Sequence, residues 1–217
     1  MTLTPAAKIG SKTGMTAIHG QLGVVILGAG ASSRMGRPKL LLPWHGTTVI
    51  GQLISQWREL GAGQITVVLR PDDAALVAEL HRLNFPAANC IENPQPEHGM
   101  FSSIVCSANW KGWRTEISHW AIVLGDQPHL RTETLRQLLE FSAQNKEAIC
   151  QPAFGGQEKH PVILPRRVFA GLKNSGAATL KDFLNLAPPP RVQCAMNDPG
   201  LTLDLDTPED YKRLTSL

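Results

Sequence analysis

The sequence predicts a doubly wound α/β domain, built on a mainly parallel sheet with helices on both faces. Apolar runs of four to six residues alternate with stretches of helical periodicity along nearly the whole chain. Runs of this kind suit strands covered on both sides. A length of 217 residues is ample for one sizeable core.

The first apolar run, Leu22 to Leu27, reads as a strand and ends in the glycine-punctuated segment GAGASSRMG; helical periodicity resumes from Val49 to Leu60. Ile65 to Leu69 is rich in β-branched residues and stops before Pro71 and Asp72, after which Ala74 to Leu83 is helical. The same alternation gives a strand at Ala88 to Ile91, a helix at Met100 to Asn109, a buried strand at Trp120 to Leu124 and a helix at Thr132 to Gln144 with Glu133 in its first turn. Ile149 to Pro152, Val162 to Leu164 and Thr202 to Asp206 are expected as later strands, with helices over Arg166 to Leu172 and Ala178 to Leu186. Residues 1–20 read as a loose tail without a signal-peptide core, and residues 21–217 as the domain.

Composition narrows the function. Hydrophobic residues make up 42% and charged residues 18%, as in a folded globular protein, and no window has the roughly 18 consecutive apolar residues that span a bilayer. Net charge is +3, with 21 basic residues scattered among 18 acidic ones and no block of like charge, which argues against a nucleic-acid surface and for a small anionic partner. Cys90, Cys106, Cys150 and Cys194 lie far apart without metal or redox spacing, so they read as reduced thiols and the expected compartment is the cytoplasm.

Ligands of such sheets bind beyond the carboxyl ends of the strands, so the segments after strands are the ones to search. LGAGASSRMGRPK, Leu27 to Lys39, follows the first strand. Its glycines Gly28, Gly30 and Gly36 allow backbone N–H groups to wrap a phosphate chain, while Arg34 and Lys39 add positive charge. It lacks the third glycine of the dinucleotide fingerprint and the GK[ST] triplet of a P-loop, which disfavours an NAD-dependent oxidoreductase. LGDQP, Leu124 to Pro128, sets Asp126 at the end of a buried strand, suited to a magnesium ion bridging triphosphate oxygens. In LDLDTPEDY, alternation puts Asp204 and Asp206 on one face of the expected strand, and Thr207 to Asp210 starts a helix. Asp206 is the expected second metal ligand and Asp204 the alternative. His160, before Pro161 in a loop between strands, is a candidate for the pocket of a second substrate.

LGAGASSRMGRPKLLLPW, LGDQP and LDLDTPED, in that order, resemble the MobA-like NTP transferase family, and most nearly its molybdenum cofactor cytidylyltransferases. The resemblance runs from about Gly23 to Leu214. It implies that Leu27, Gly28, Ala29, Gly30, Arg34 and Lys39 hold the nucleotide, that Arg34, Lys39 and Asp126 serve catalysis, and that Asp126 binds Mg²⁺. It further implies that the segment NPQPEHGMFSSI contacts base and acceptor through Gly99, Ser102 and Ser103. The implied reaction moves CMP from CTP onto a phosphorylated acceptor, molybdopterin carrying molybdenum, with release of pyrophosphate. GGQEKHPV and NSGAATL depart from the family pattern where the acceptor should dock. Alternatives are a guanylyltransferase or sugar-phosphate nucleotidyltransferase, or a non-catalytic chaperone that delivers the cofactor to a molybdenum hydroxylase.

Overall fold

A computed structural model describes residues 20–30 and 35–216. The expected tail, except Gly20, and Arg34 lie outside the described residues. The first element among the described residues is β1 (Leu22–Leu27), followed by a small hairpin of β2 (Pro43–Trp44) and β3 (Thr47–Thr48) leading into α1 (Val49–Glu59). Then come β4 (Gln64–Leu69), α2 (Ala74–Arg82), β5 (Cys90–Glu92), α3 (Met100–Asn109), β6 (His119–Leu124) and α4 (Thr132–Gln144). The second half holds β7 (Ile149–Phe154), β8 (Gln157–Glu158), β9 (Val162–Pro165), α5 (Arg166–Gly171), α6 (Leu180–Leu186), β10 (Arg191–Ala195) and α7 (Pro208–Thr215).

The main sheet has the order β10-β7-β9-β6-β1-β4-β5, with β8 paired to β7. β6, β1, β4 and β5 run parallel, as do β10 and β7, while β9 lies antiparallel between β6 and β7. The reversal follows from the sequence at Gly155 and Gly156. Both have positive φ, 56° and 76°, and they form a two-residue turn that sends β8 and then β9 back along β7. Expected helices and strands through Ile149 appear within a few residues of their expected bounds, although β5 is shorter than expected and follows a 3₁₀ turn at Ala87–Asn89. β10 was not expected from the sequence, because RVQCA is half polar and carries no continuous apolar run.

Strand side chains alternate between two cores. Val24 and Ile26 of β1 pack with Val67 of β4 and Val123 of β6 under α1, α2, α4 and α7, where Ile50, Leu53, Trp57, Leu80, Leu135 and Leu214 complete the layer. Val25, Val68 and Ile122 point the other way, into Phe101 and Ile104 of α3, Phe169 of α5 and Leu184 of α6. Each fully buried aliphatic side chain contributes about 1.5–3 kcal/mol of burial free energy, which fixes the register of the central strands. Among the described residues no helix is long and apolar enough to cross a membrane. The four cysteines form no disulfide; Cys150 is buried and its thiol is pushed up to about 11 by desolvation.

The chain leaves β1 towards β4 and β5, then returns to place β6 on the other side of β1. That change of direction opens a crevice above the carboxyl ends of β1 and β6.

Candidate nucleotide and phosphate site

Leu27 and Leu124, the last residues of β1 and β6, are partners in the register, so the glycine-rich segment and the LGDQP segment leave the sheet side by side. Crowding there explains two glycines. A Cβ on Gly28 would sit 2.9 Å from the Val68 carbonyl oxygen, to which the Gly28 N–H donates at 2.8 Å, and one on Gly125 would sit 2.7 Å from the Leu27 carbonyl oxygen. Gly125→Ala is therefore expected to destabilise the protein by about 2–4 kcal/mol through backbone displacement. The urea midpoint should fall with the m-value unchanged; an unchanged midpoint would mean the approach is relieved at no cost. Gly30, by contrast, faces open space, and Gly36 needs its positive φ of 66°.

Beyond the strands, the turn Lys39–Leu41 carries the Lys39 ammonium to 2.5 Å from Asp206 Oδ1 and 3.9 Å from Asp126 Oδ2. Lys39 is only 14% exposed. Among the described residues, the other oxygen of Asp126, Oδ1, is buried with no hydrogen-bond partner. Desolvation, then the nearby charge of Asp204, push its carboxyl up to about 6, against the pull of Lys39. This is a carboxylate short of positive charge.

The Thr202 to Asp206 strand is not formed. Asp198 accepts from the Gly200 N–H at 3.0 Å and starts a 3₁₀ turn, Pro199–Thr202, and the Leu205 N–H donates to the Asp126 carbonyl at 3.0 Å rather than to a neighbouring strand. The alternating leucines misled because Leu201 and Leu205 bury themselves from a loop. Asp198 also bonds the Thr134 hydroxyl and pairs with Arg131 at 3.0 Å, while His129 Nε2 meets the Gly200 carbonyl at 3.0 Å. The turn is thereby fixed to the start of α4. The two carboxylates expected on one face diverge: Asp204 accepts from Gln127 Nε2 at 3.0 Å, whereas Asp206 pairs with Lys39. Among the described residues no group of three or more His, Cys, Asp or Glu side chains is gathered as a metal cluster. The orphaned Asp126 Oδ1 and the raised carboxyl nevertheless suit a bound cation at Asp126.

A cavity of about 500 Å³ opens along these loops, walled by Leu27, Ala29, Gly30, Gly99, Ser103 and Asp126. Met100, Leu124 and Gly125 also line it, as does Arg70, a residue that the sequence motifs do not include. For Arg70 the signal was present: it directly follows β4, and strand ends are where such sheets bind ligands. Ser102 lines neither this cavity nor the next; its hydroxyl donates to the Gly99 carbonyl at 2.7 Å. His160 lies in a neighbouring cavity of about 300 Å³, with Gln151, Glu158 and Arg191, and Met100 walls both spaces. Desolvation lowers the His160 pKa below the ordinary histidine value, so the ring is neutral at pH 7, with Nδ1 3.5 Å from the Ile122 carbonyl.

A glycine-lined crevice at the switch point of a mainly parallel sheet, walled in part by a desolvated carboxylate with a lysine 3.9 Å from it, fits a nucleotide-handling α/β protein. A sequence model of the MobA-like NTP transferase domain matches residues 24–197, and the chain belongs to that family of nucleotidyltransferases. It is 25% identical over 190 residues to the molybdenum cofactor cytidylyltransferase of Escherichia coli K12, covering 86% of this chain and 92% of that protein. It is 28% identical over 205 residues to nicotine blue oxidoreductase of Paenarthrobacter nicotinovorans, covering 88% and 94%. Its fold superposes on Rv0371c of Mycobacterium tuberculosis H37Rv with a TM-score of 0.66 at 28% identity, covering 91% of this chain and 98% of the other. A complex of Rv0371c with manganese superposes at 0.61, with 25% identity and coverage of 90% and 98%.

Proposed function

We propose that this nucleotidyltransferase moves CMP from CTP onto the phosphate of a molybdopterin-type acceptor and releases pyrophosphate. The observation that carries this reading is the approach of Lys39 to 3.9 Å from Asp126, which lines a glycine-walled cavity sharing Met100 with a second cavity. One space suits a nucleoside triphosphate and the other its acceptor, with the reacting phosphates between them.

An acceptor phosphate oxygen attacks the α-phosphorus, and the bond from the α-phosphorus to the bridging oxygen breaks as pyrophosphate leaves. No covalent residue is required; the chain supplies alignment and positive charge. Backbone N–H groups at Ala29 and Gly30 cradle the phosphates, while Gly28, whose N–H is held by the Val68 carbonyl, fixes the loop where it leaves β1; Lys39, together with Arg34, opposes the charge growing on pyrophosphate. Asp126 would hold a divalent cation with Asp206 or Asp204 as its companion, and such a cation supplies charge neutralisation of the triphosphate when bound. Mg²⁺ is the ion we infer, with Mn²⁺ as a substitute, in line with the manganese complex of Rv0371c. His160 is neutral, so it orients the acceptor by hydrogen bonding and leaves the acceptor's charge to be met elsewhere. The cytosine choice rests on likeness to the E. coli cytidylyltransferase. A molybdenum hydroxylase is the recipient we infer for the product, in the cytoplasm.

Pyrophosphate release, measured with CTP and GTP separately and each with and without molybdopterin, tests the reading. Release should require the acceptor, and CTP should exceed GTP by at least about tenfold in kcat/KM. A GTP preference would move the protein to another branch of the family, and no release from any NTP would overturn transfer altogether. Similarity to an oxidoreductase of comparable length makes NADH oxidation the necessary control arm; oxidation without pyrophosphate release would replace the proposal.

A further inference from the structure

Asn93 directly follows β5, is 0% exposed and lies behind Ser103, which lines the nucleotide cavity. A buried primary amide must have its donors and acceptor matched, and its orientation is ordinarily ambiguous. Here it is decided by a backbone group that can only donate: the Gln95 N–H points to Asn93 Oδ1 at 3.0 Å. The same oxygen lies 3.6 Å from Cys106 Sγ. Both N–H bonds of the amide are therefore committed the other way, to Ser102 Oγ at 2.8 Å and Ser103 Oγ at 2.9 Å.

The two serines differ in where their own protons go. Ser102 donates back into the loop, to the Gly99 carbonyl at 2.7 Å, with the Gln95 carbonyl at 3.1 Å. Ser103 is 3% exposed and lines the nucleotide cavity, and among the described residues no acceptor for its proton lies within hydrogen-bond distance. Its oxygen is already engaged by Asn93. That bond takes one lone pair, and the proton finds a partner by donating into the cavity.

We propose that Asn93 is a positioning residue for nucleotide choice, fixing the Ser103 hydroxyl as a donor so that the base atom it meets must be an acceptor. This rests on the nucleotide reading of the cavity. Bases carry their ring nitrogens and carbonyl oxygens at different positions, so a donor fixed in place and in polarity favours one base. A hydroxyl free to rotate and to accept would suit several.

The test measures CTP and GTP binding by titration calorimetry, and their turnover by pyrophosphate release, in the parent, Ser103→Ala, Asn93→Asp and the double variant. Asp at position 93 offers only acceptors, so the Ser103 proton turns away from the cavity. Each single variant should weaken the preferred nucleotide about tenfold and the other less than about twofold, with the double variant no worse than either single. Ser103→Thr, which keeps the hydroxyl, should retain the parent ratio. An unchanged base ratio in Ser103→Ala, or additive losses in the double variant, would overturn the proposal. Ser103→Ala asks little of the fold and decides the matter should Asn93→Asp fail to fold. Base-selective binding without any turnover would overturn the transfer reaction and leave this inference standing.

Discussion

Asp126→Asn should abolish turnover, by a factor of at least about 10²–10³, and at the same time raise the melting temperature of the ligand-free protein. The carboxyl is pushed up to about 6 from an ordinary 3.8, desolvation being the larger cause and the charge of Asp204 the next. Between those two pH values the folded protein takes up a proton that the unfolded chain does not, so stability falls as pH rises through this window. Above about pH 6 the full penalty is present. Each pKa unit is about 1.4 kcal/mol, so the penalty is about 3 kcal/mol, reduced by solvent screening of a side chain that is 28% exposed. Asparagine keeps the shape without the charge, and a gain of roughly 5–10 °C at pH 7, vanishing towards pH 4, is expected in thermal melts. Mg²⁺ or Mn²⁺ should raise the melting temperature of the parent and leave that of the variant unmoved. A variant that melts lower than the parent at pH 7, or one that retains turnover, would refute the role given to Asp126.

Lys39→Ala should act in the opposite sense on stability. The ammonium lies 2.5 Å from Asp206 and 3.9 Å from Asp126 at 14% exposure, and its pull is what restrains the Asp126 carboxyl from rising further. Its removal leaves Asp126, Asp204 and Asp206 close together with less positive charge, at a cost of about 1–3 kcal/mol read in urea unfolding at pH 7. If Lys39 meets charge that develops on pyrophosphate, kcat falls about 10²–10³-fold while the NTP constant changes little. A rise in KM alone would make it a ground-state binding residue, and Arg34→Ala, read the same way, tells whether the two share the task. No change in either constant would remove Lys39 from the site.

The central strands and the long helices were legible because their signal is local. Val24, Val25 and Ile26 are apolar in succession since β1 is covered on both faces, and Val49 to Glu59 shows a helical stripe since one face packs on the sheet. The edge was less so. β10 is half polar because it lies at the margin of the sheet, and the LDLD alternation imitated a strand that the Asp198 turn does not allow. The crevice end of the sheet was legible for a different reason. Gly28 and Asp126 sit directly after apolar runs, where an α/β sheet has to bind ligands.

By itself, then, the sequence determined the layered α/β fold, the crevice-facing glycine loop and the family, all of which are written in short-range pattern and motif order. Only the tertiary structure decided that Lys39 lies between Asp126 and Asp206, residues 80 or more positions away in the chain, and that Asp204 turns instead to Gln127. It also decided that Ser102 and Ser103, neighbours in sequence, have different fates: one hydroxyl donates within its own loop, while the other accepts from Asn93 in the wall of the cavity. The reason is physical. Periodicity reports which side of an element is buried, but hydrogen-bond direction and charge proximity depend on groups brought together from distant segments, and no local pattern encodes them.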